Sequence, residues 1–228
     1  MEKIKLYSNL VSPPGRTVQL TAKAIGLDLE FHSIDILSNE QLSEQFIKMN
    51  PLHTIPVIGD SGTILYDSHA IAIYLIMKYA PESTLYSQDP AKQAKINAIL
   101  HFESGVLFAR LRFMAEIVRE ASDMSEIPRD RLDYALKAVE LLEALLMDKY
   151  LAGSHMTLAD ISCMTSFSNM DCFLRLDREK FPKVFAWFER MKEIPGYWEI
   201  NQAAIDQFGD LIRMIFESNK KKENRLYE

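Results

Sequence analysis

The sequence predicts a small α/β domain followed by a larger all-α domain. Alternation of apolar and polar residues, which is typical of strands, recurs before residue 80 and stops after Pro81. Beyond Pro81, long runs of helix-forming residues place apolar side chains at helical spacing. We therefore assign residues 1–80 to the first domain and 90–228 to the second, joined by the segment YAPESTLYSQDP.

The first domain alternates strands with helices in the order β-α-β-α-β-β-α. The predicted strands are KIKLYS, LEFHSID and two strands within TIPVIGDSGTILY, which surround a Gly/Asp turn. The predicted helices are residues 16–25, residues 40–49 and the apolar stretch SHAIAIYLIMKY. This is the element order of a thioredoxin-like domain.

The second domain contains five predicted helices. They cover residues 90–118, residues 128–150, a stretch opened by Thr157, residues 182–191 and residues 202–216. Thr157 and Asp160 have the spacing of a capping box. Pro182 suits the first turn of its helix, where a missing backbone N–H costs nothing.

Composition excludes several classes of protein. The formal net charge of -6 over 228 residues gives no basic face for nucleic acid. The two cysteines form no Cys-x-x-Cys pair or metal-binding cluster, which is typical of a reduced intracellular protein. The start MEKIKLYSNL lacks the apolar core of a signal peptide, and no apolar run is long enough to span a membrane. We expect a cytoplasmic protein with no metal ion and with no nucleic-acid or membrane partner.

The stretch SNLVSPPG passes from a strand into a helix, where free backbone N–H groups and a partial positive charge stabilise an anion. Pro13 and Pro14 stiffen this turn, and the hydroxyl of Ser12 is a donor into the same space. Such a turn suits a thiolate, and the thiol must arrive on a ligand because no cysteine is near. The alternative is that Ser12 is an ordinary helix cap.

Two further stretches offer binding groups. In NPLHTIPVI, a cis Ile55-Pro56 bond would leave the backbone of Ile55 free to pair with an extended peptide, whereas a trans bond would make this an ordinary loop. In YDSHAI, Asp67 can bind an ammonium group and Ser68 a carboxylate, which together fit one free amino-acid end. The alternative for Asp67 and Ser68 is again a helix cap.

Together these stretches resemble the glutathione transferase family, in particular its insect epsilon class and the closely related delta class. The resemblance covers nearly the whole chain and is carried, in the family's order, by SPPGRTVQLTAKAIGLDLE, NPLHTIPV, DSHAIAIYL, HFESGVLFARLRF and AGSHMTLADIS. It implies the cytosolic glutathione transferase fold, a homodimer, glutathione as co-substrate, and a role in xenobiotic detoxification that includes insecticide resistance.

The resemblance also assigns roles to individual residues. Ser12 would stabilise the glutathione thiolate as the catalytic residue. Glutathione would be bound by Pro14, His53, Thr54, Ile55, Pro56, Asp67 and Ser68. Within that set, His53 would reach the glycine end, Ile55 the cysteinyl unit, and Asp67 with Ser68 the γ-glutamyl end. The electrophile pocket would be lined by Val11, Pro14, Ile36, Leu37, Phe108, Leu111, Arg112, Ala115, Glu116 and Phe208. His69 and His101 would lie near the dimer interface.

Two positions depart from the family pattern. Asp67 stands where Glu is commoner, and Gly15 stands where a larger side chain is usual, which predicts a looser turn after Pro14. Arg112 and Glu116 lie four apart on one helical face, so that they either pair with each other or leave Arg112 to polarise the electrophile.

The predicted function is conjugation of the glutathione thiolate to apolar electrophiles, with chloride elimination or peroxide reduction as side activities. A non-catalytic carrier of apolar ligands is the alternative. A thiol-disulfide oxidoreductase would need a cysteine near Ser12, and none is present there.

Overall fold

A computed structural model describes the backbone of residues 3–120 and 126–226, and the side chains of residues 3–116 and 126–220. The strands are β1 (Ile4–Ser8), β2 (Leu29–Ser33), β3 (Val57–Asp60) and β4 (Thr63–Tyr66). The helices of the first domain are α1 (Pro13–Ala24), α2 (Glu44–Met49) and α3 (Ser68–Tyr79). The helices of the second are α4 (Pro90–Phe102), α5 (Phe108–Glu120), α6 (Arg129–Leu145), α7 (Leu158–Leu174), α8 (Pro182–Met191) and α9 (Ala203–Leu226).

The four strands form one mixed sheet in the order β2-β1-β3-β4. Strand β1 runs parallel to β2 and antiparallel to β3, and β3 and β4 form a hairpin. Ser8 lies opposite Ser33, Tyr7 opposite Val57, and Val57 opposite Tyr66. The ends of β1, β2 and β4 therefore meet the start of β3 at a single edge, which confirms the predicted thioredoxin-like arrangement.

Several predicted helix boundaries were wrong. The predicted helix over 90–118 is divided by a π-helical turn, Glu103–Leu107, and the predicted helix over 202–216 continues to Leu226 after a second π-helical turn, Tyr197–Gln202. The predicted helix over 40–49 is a 3₁₀ turn, Glu40–Leu42, followed by α2, because Ser43 caps α2 by accepting a hydrogen bond from the backbone N–H of Phe46. Runs of helix-forming residues do not show where the hydrogen-bond period changes.

One apolar cluster of the core crosses the boundary between the two domains. One cluster lies between the sheet and helices α1 and α3, and includes Leu6, Val18 and Ile71. The larger cluster fills the helical domain and also takes in Leu20 of α1 with Ala72 of α3. The two domains therefore pack as one body through an apolar face. Of the helices within 3–120 and 126–226, none is both long and apolar enough to cross a membrane.

Asp60, at the end of β3, ties the sheet to α3. Its side chain is 2% exposed, and its Oδ2 accepts hydrogen bonds of 2.7 Å each from Tyr74 Oη, Lys78 Nζ and Tyr79 Oη. Burial alone would raise the pKa of Asp60, but these hydrogen bonds outweigh it and hold the pKa well below its usual range. The folded state therefore favours the ionised form of Asp60.

We expect Asp60→Asn to lower the free energy of unfolding at pH 7 by about 2 to 3 kcal/mol, because hydrogen bonds to a buried charge are lost. Because the pKa of Asp60 is lower in the folded than in the unfolded state, ionised Asp60 stabilises the fold at pH values above the unfolded-state pKa of about 4. This stabilisation is lost as the pH falls through the folded-state pKa of Asp60. The difference from wild type should therefore shrink below pH 4 in urea unfolding experiments. Asp133→Asn, which breaks an exposed pair with Arg129, is the control and should change stability by less than about 1 kcal/mol.

Candidate active site

The Ser12 turn joins β1 to α1 at the shared sheet edge. Ser12 is the N-cap of α1, and its Oγ accepts a 3.3 Å hydrogen bond from the backbone N–H of Gly15. Pro13 follows as the first residue of the helix. Ser12 therefore caps the helix, as the alternative interpretation held. The hydroxyl proton of Ser12 remains available to donate to a ligand, because the hydroxyl oxygen is the acceptor in this cap.

Asn9 holds the Ser12 turn in shape. Its Oδ1 accepts from the backbone N–H of Val11 and its Nδ2 donates to the carbonyl of Ile34, both at 3.1 Å. Its own carbonyl accepts from the N–H of Ser12 at 3.1 Å. The sequence analysis missed Asn9, although an asparagine two residues before a turn is a known signal for this geometry.

Gly15 does not loosen the turn, contrary to the prediction. A Cβ atom placed at Gly15 would lie 2.0 Å from Ser8 Oγ and 3.1 Å from Ser8 Cβ. The missing side chain allows α1 to approach the end of β1 closely, so the glycine tightens the contact between strand and helix.

The loop before β3 contains the predicted cis peptide bond, Ile55-Pro56. Within the described residues, neither backbone polar group of Ile55 has a protein partner. Asn50, which is fully buried, shapes this loop: its Nδ2 donates to the carbonyl of Thr54 at 2.8 Å, and its Oδ1 accepts from the N–H of Leu52 at 3.0 Å. The loop presents His53 to solvent. The sequence analysis did not identify Asn50.

Asp67 caps α3, as the alternative interpretation held. Its Oδ1 accepts from the backbone N–H groups of His69 and Ala70, each at 3.0 Å. The side chain remains exposed, so its second oxygen is accessible from solvent. Ser68 begins the helix beside it. The register of the sheet places this cap at the same edge as the Ser12 turn and Ile55.

His69 links the first domain to the second. Its Nε2 lies 2.7 Å from Ser162 Oγ of α7 and 3.1 Å from Glu103 Oε2 of the first π-helical turn. Ser166 Oγ donates to the other carboxylate oxygen of Glu103. The ring therefore takes part in the contact between the two domains of this chain. His101 is exposed.

Comparison with known proteins decides the family. Residues 6–83 match the family model for the glutathione S-transferase N-terminal domain, and residues 111–195 match that for the C-terminal domain. Glutathione S-transferase 1 of Manduca sexta is 37% identical over 209 residues, which are 91% of this chain and 96% of that protein. The chain belongs to the glutathione S-transferase family.

Solved structures of glutathione transferases agree. An epsilon-class enzyme from the housefly, Musca domestica, is 36% identical, with a TM-score of 0.89 over 93% of this chain and 98% of that one. A glutathione transferase homologue from Drosophila mojavensis with bound glutathione is also 36% identical, with a TM-score of 0.89 over 94% and 98%. The predicted fold, the resemblance to the insect delta and epsilon classes and the predicted glutathione transferase activity are confirmed, and the carrier alternative is not favoured.

The residues predicted to line the electrophile pocket of this glutathione transferase differ in exposure. Leu37 and Arg112 are exposed, and Leu111 and Phe208 are buried. The half-buried members are Val11, Pro14, Ile36, Phe108, Ala115 and Glu116. Leu111 is part of the main core cluster. Phe208 packs edge-on against Phe173, with ring centroids 5.3 Å apart.

Arg112 and Glu116 form the ion pair that their spacing allows. Arg112 Nε lies 3.4 Å from Glu116 Oε1, and the Arg112 side chain is 61% exposed. An exposed pair of this kind is worth little for stability. The arrangement therefore leaves the guanidinium of Arg112 accessible to a ligand.

A separate cleft of about 750 Å³ lies away from the Ser12 turn. Pro81, Lys95 and His155 are among the residues that line it, between the domain linker and the loop before α7. None of the predicted site residues lines this cleft. It adds nothing to the predicted glutathione or electrophile sites.

The chain's own thiols are poor nucleophiles. Burial raises the pKa of Cys163 well above its usual value and raises the pKa of Cys172 to about 11. Both thiols therefore stay protonated at neutral pH. Among the described residues, no three His, Cys, Asp or Glu side chains are grouped so as to hold a metal ion.

We expect Asn50→Ala to raise the KM for glutathione by about tenfold, or about 1.4 kcal/mol, because the loop carrying His53 and Ile55 loses its internal support. The kcat at saturating glutathione should stay within about twofold of wild type, since Asn50 does not contact the Ser12 turn. Steady-state kinetics with varied glutathione measure both. The control is Asn97→Ala, which removes a hydrogen bond between α4 of the second domain and Tyr86 of the linker. An equal rise in KM there would contradict the assignment.

Proposed function

We propose that this glutathione transferase activates the thiol of glutathione at Ser12 and adds it to apolar electrophiles. The observation that carries the proposal is the sheet register, which brings the Ser12 turn, the open backbone of Ile55 and the Asp67 cap to one edge. A helix N-terminus lies at this edge and favours an anion. The hydroxyl of Ser12, already oriented by Gly15, donates to that anion.

Glutathione binds along this edge as an extended peptide. The N–H and C=O of Ile55 pair with its cysteinyl unit, as an added strand would. Pro56 and Thr54 flank that contact, and Pro14 lies beside the thiol. Asp67 takes the γ-glutamyl ammonium through the carboxylate oxygen that does not cap α3, and Ser68 takes the carboxylate. His53 reaches the glycine end.

The reaction begins when the thiol of glutathione loses its proton to water as Ser12 and the helix N-terminus stabilise the thiolate. The sulfur then forms a bond to an electrophilic carbon. A leaving group such as chloride departs with the bonding electron pair, or, where the electrophilic carbon belongs to an activated double bond, the π electron pair of that bond moves to the neighbouring carbon, which water protonates. Elimination of chloride, with the thiolate as base, and peroxide reduction are side activities of the same anion.

We infer a cytoplasmic enzyme of detoxification that acts on xenobiotics, insecticides among them, as a homodimer. Exposed apolar side chains on β4 and α3 support the dimer, since Ile64 is 43% exposed and Met77 is 59% exposed. Sedimentation velocity at micromolar concentration tests it, and a monomer at that concentration would contradict it.

Ser12→Ala should raise the pKa of the bound glutathione thiol towards the free thiol value of ~8.5 and lower kcat/KM at neutral pH by about 10²- to 10³-fold. The thiolate absorbance of bound glutathione, followed against pH, measures the first effect. Ser43→Ala is a matched control, because Ser43 caps α2 with a hydrogen bond of the same 3.3 Å length as the Ser12 cap. Both variants should lose about 1 kcal/mol of stability, but only Ser12→Ala should shift the thiol pKa.

Arg112→Ala should lower kcat with chlorinated or nitroaromatic substrates by about tenfold, the equivalent of about 1.4 kcal/mol, while the Kd for glutathione stays constant. The physical reason is the loss of a cation that polarises the electrophile or its leaving group. Arg129→Ala, which breaks the comparable exposed pair with Asp133, is the control and should leave kcat unchanged. Unchanged turnover in Arg112→Ala would contradict a role in polarising the electrophile and would leave Arg112 only its surface ion pair with Glu116.

A further inference from the structure

Arg16, on the first turn of α1, is a fully buried cation. Arg16 is one of the largest fully buried side chains of the described residues, and its burial lowers its pKa to about 9. Removing a guanidinium from water is costly unless hydrogen bonds compensate. Charged residues are ordinarily exposed, so the sequence analysis did not single out Arg16. The contacts of Arg16 therefore need a separate explanation.

The guanidinium of Arg16 joins the Ser12 turn to helix α7. Its Nη1 donates to the carbonyl of Val11 at 3.3 Å. Its Nη2 donates to the carbonyl of Thr165 at 3.0 Å and to Oδ1 of Asn169. Within the described residues no carboxylate pairs with it. The acceptors are uncharged groups that belong to two different domains.

The carbonyl of Val11 belongs to the same peptide plane as the backbone nitrogen of Ser12. A hydrogen bond to that carbonyl fixes the plane, because the peptide bond does not rotate. Asn9 holds the other side of the same plane, through the N–H of Ser12 at 3.1 Å. The direction of the Ser12 side chain therefore depends on Asn9 from the first domain and on Arg16, which α7 holds.

We propose that Arg16 is a positioning residue for glutathione activation, because it fixes the peptide plane before Ser12 to helix α7 of the second domain. This inference rests on the proposed role of Ser12. A hydroxyl displaced by a fraction of an ångström gives a weaker hydrogen bond to the thiolate, and small errors in position have large effects on reactivity. Thiol ionisation thus depends on the contact between the domains.

Thr165→Val provides a matched control. Thr165 Oγ1 lies 2.9 Å from Thr17 Oγ1 of α1, so the variant weakens the same α1–α7 contact by one hydrogen bond. Its backbone carbonyl, the acceptor for Arg16, is retained. If the α1–α7 contact had only a structural role, Thr165→Val and Arg16→Lys would have the same effect on the pKa of the bound thiol.

The experiment is titration of the thiolate absorbance of bound glutathione in wild type, Arg16→Lys, Asn169→Ala and Thr165→Val, each checked for folding by its melting temperature. Arg16→Lys keeps the charge but loses the planar fork, and should raise the thiol pKa by about one unit. Asn169→Ala should raise it by a smaller amount, and Thr165→Val should leave it unchanged. The Kd for glutathione, measured at a pH well below the pKa of the bound thiol where linkage to ionisation vanishes, should change less than twofold in all three.

The outcomes separate the two proposals. A wild-type thiol pKa near the free value, or one that Ser12→Ala leaves unchanged, removes the role of Ser12 and the inference about Arg16 with it. A lowered wild-type pKa that Arg16→Lys retains, or that Thr165→Val raises equally, overturns the role of Arg16 alone. If Arg16→Lys does not fold, Asn169→Ala decides, and an unchanged pKa there overturns the inference.

Discussion

Helix α7 has almost no side that faces solvent, and the arrangement of the other elements follows from that constraint. Every residue from Leu158 to Met170 is buried, including six with polar side chains. Each of the six is hydrogen-bonded to a residue outside α7: Asp160 with Trp187, Ser162 with His69, Thr165 with Thr17, Ser166 with Glu103, Ser168 with Asn201 and Asn169 with Arg16. Sliding a neighbouring element along α7 would leave these buried polar groups without partners, which is costly. The pairs therefore fix the positions of the surrounding elements relative to the helix.

At the sheet edge, side-chain amides and carboxylates give the backbone its shape. Asn9 supports the turn before α1, Asn50 supports the loop before β3, and Asp67 caps α3. Each of these residues satisfies backbone groups that a turn leaves unpaired. A site built in this way offers a ligand pre-formed N–H and C=O groups, which suits a small peptide whose own backbone needs partners.

Residue patterns predicted much of this fold, but they did not predict which charged side chains are buried. Alternation and turn residues placed the strands, and Thr157 with Asp160 forms the capping box that its spacing predicts. The burial of Arg16 and Glu103 had no such signal, because charged residues are ordinarily exposed and only the packing of α7 shows where they lie. Gly15 was misjudged for a related reason, since its close neighbour Ser8 comes from the preceding strand.

The bond between Arg16 and Thr165 joins residues 149 positions apart. A ribosome adds about 5 to 20 residues per second, so roughly 7 to 30 seconds separate the synthesis of its two ends. During that interval the first domain has emerged while Leu20 and Ala72, which the second domain will cover, still face water. The growing polypeptide therefore exposes an apolar surface through much of its translation, and chaperones have their longest opportunity to bind it at that stage.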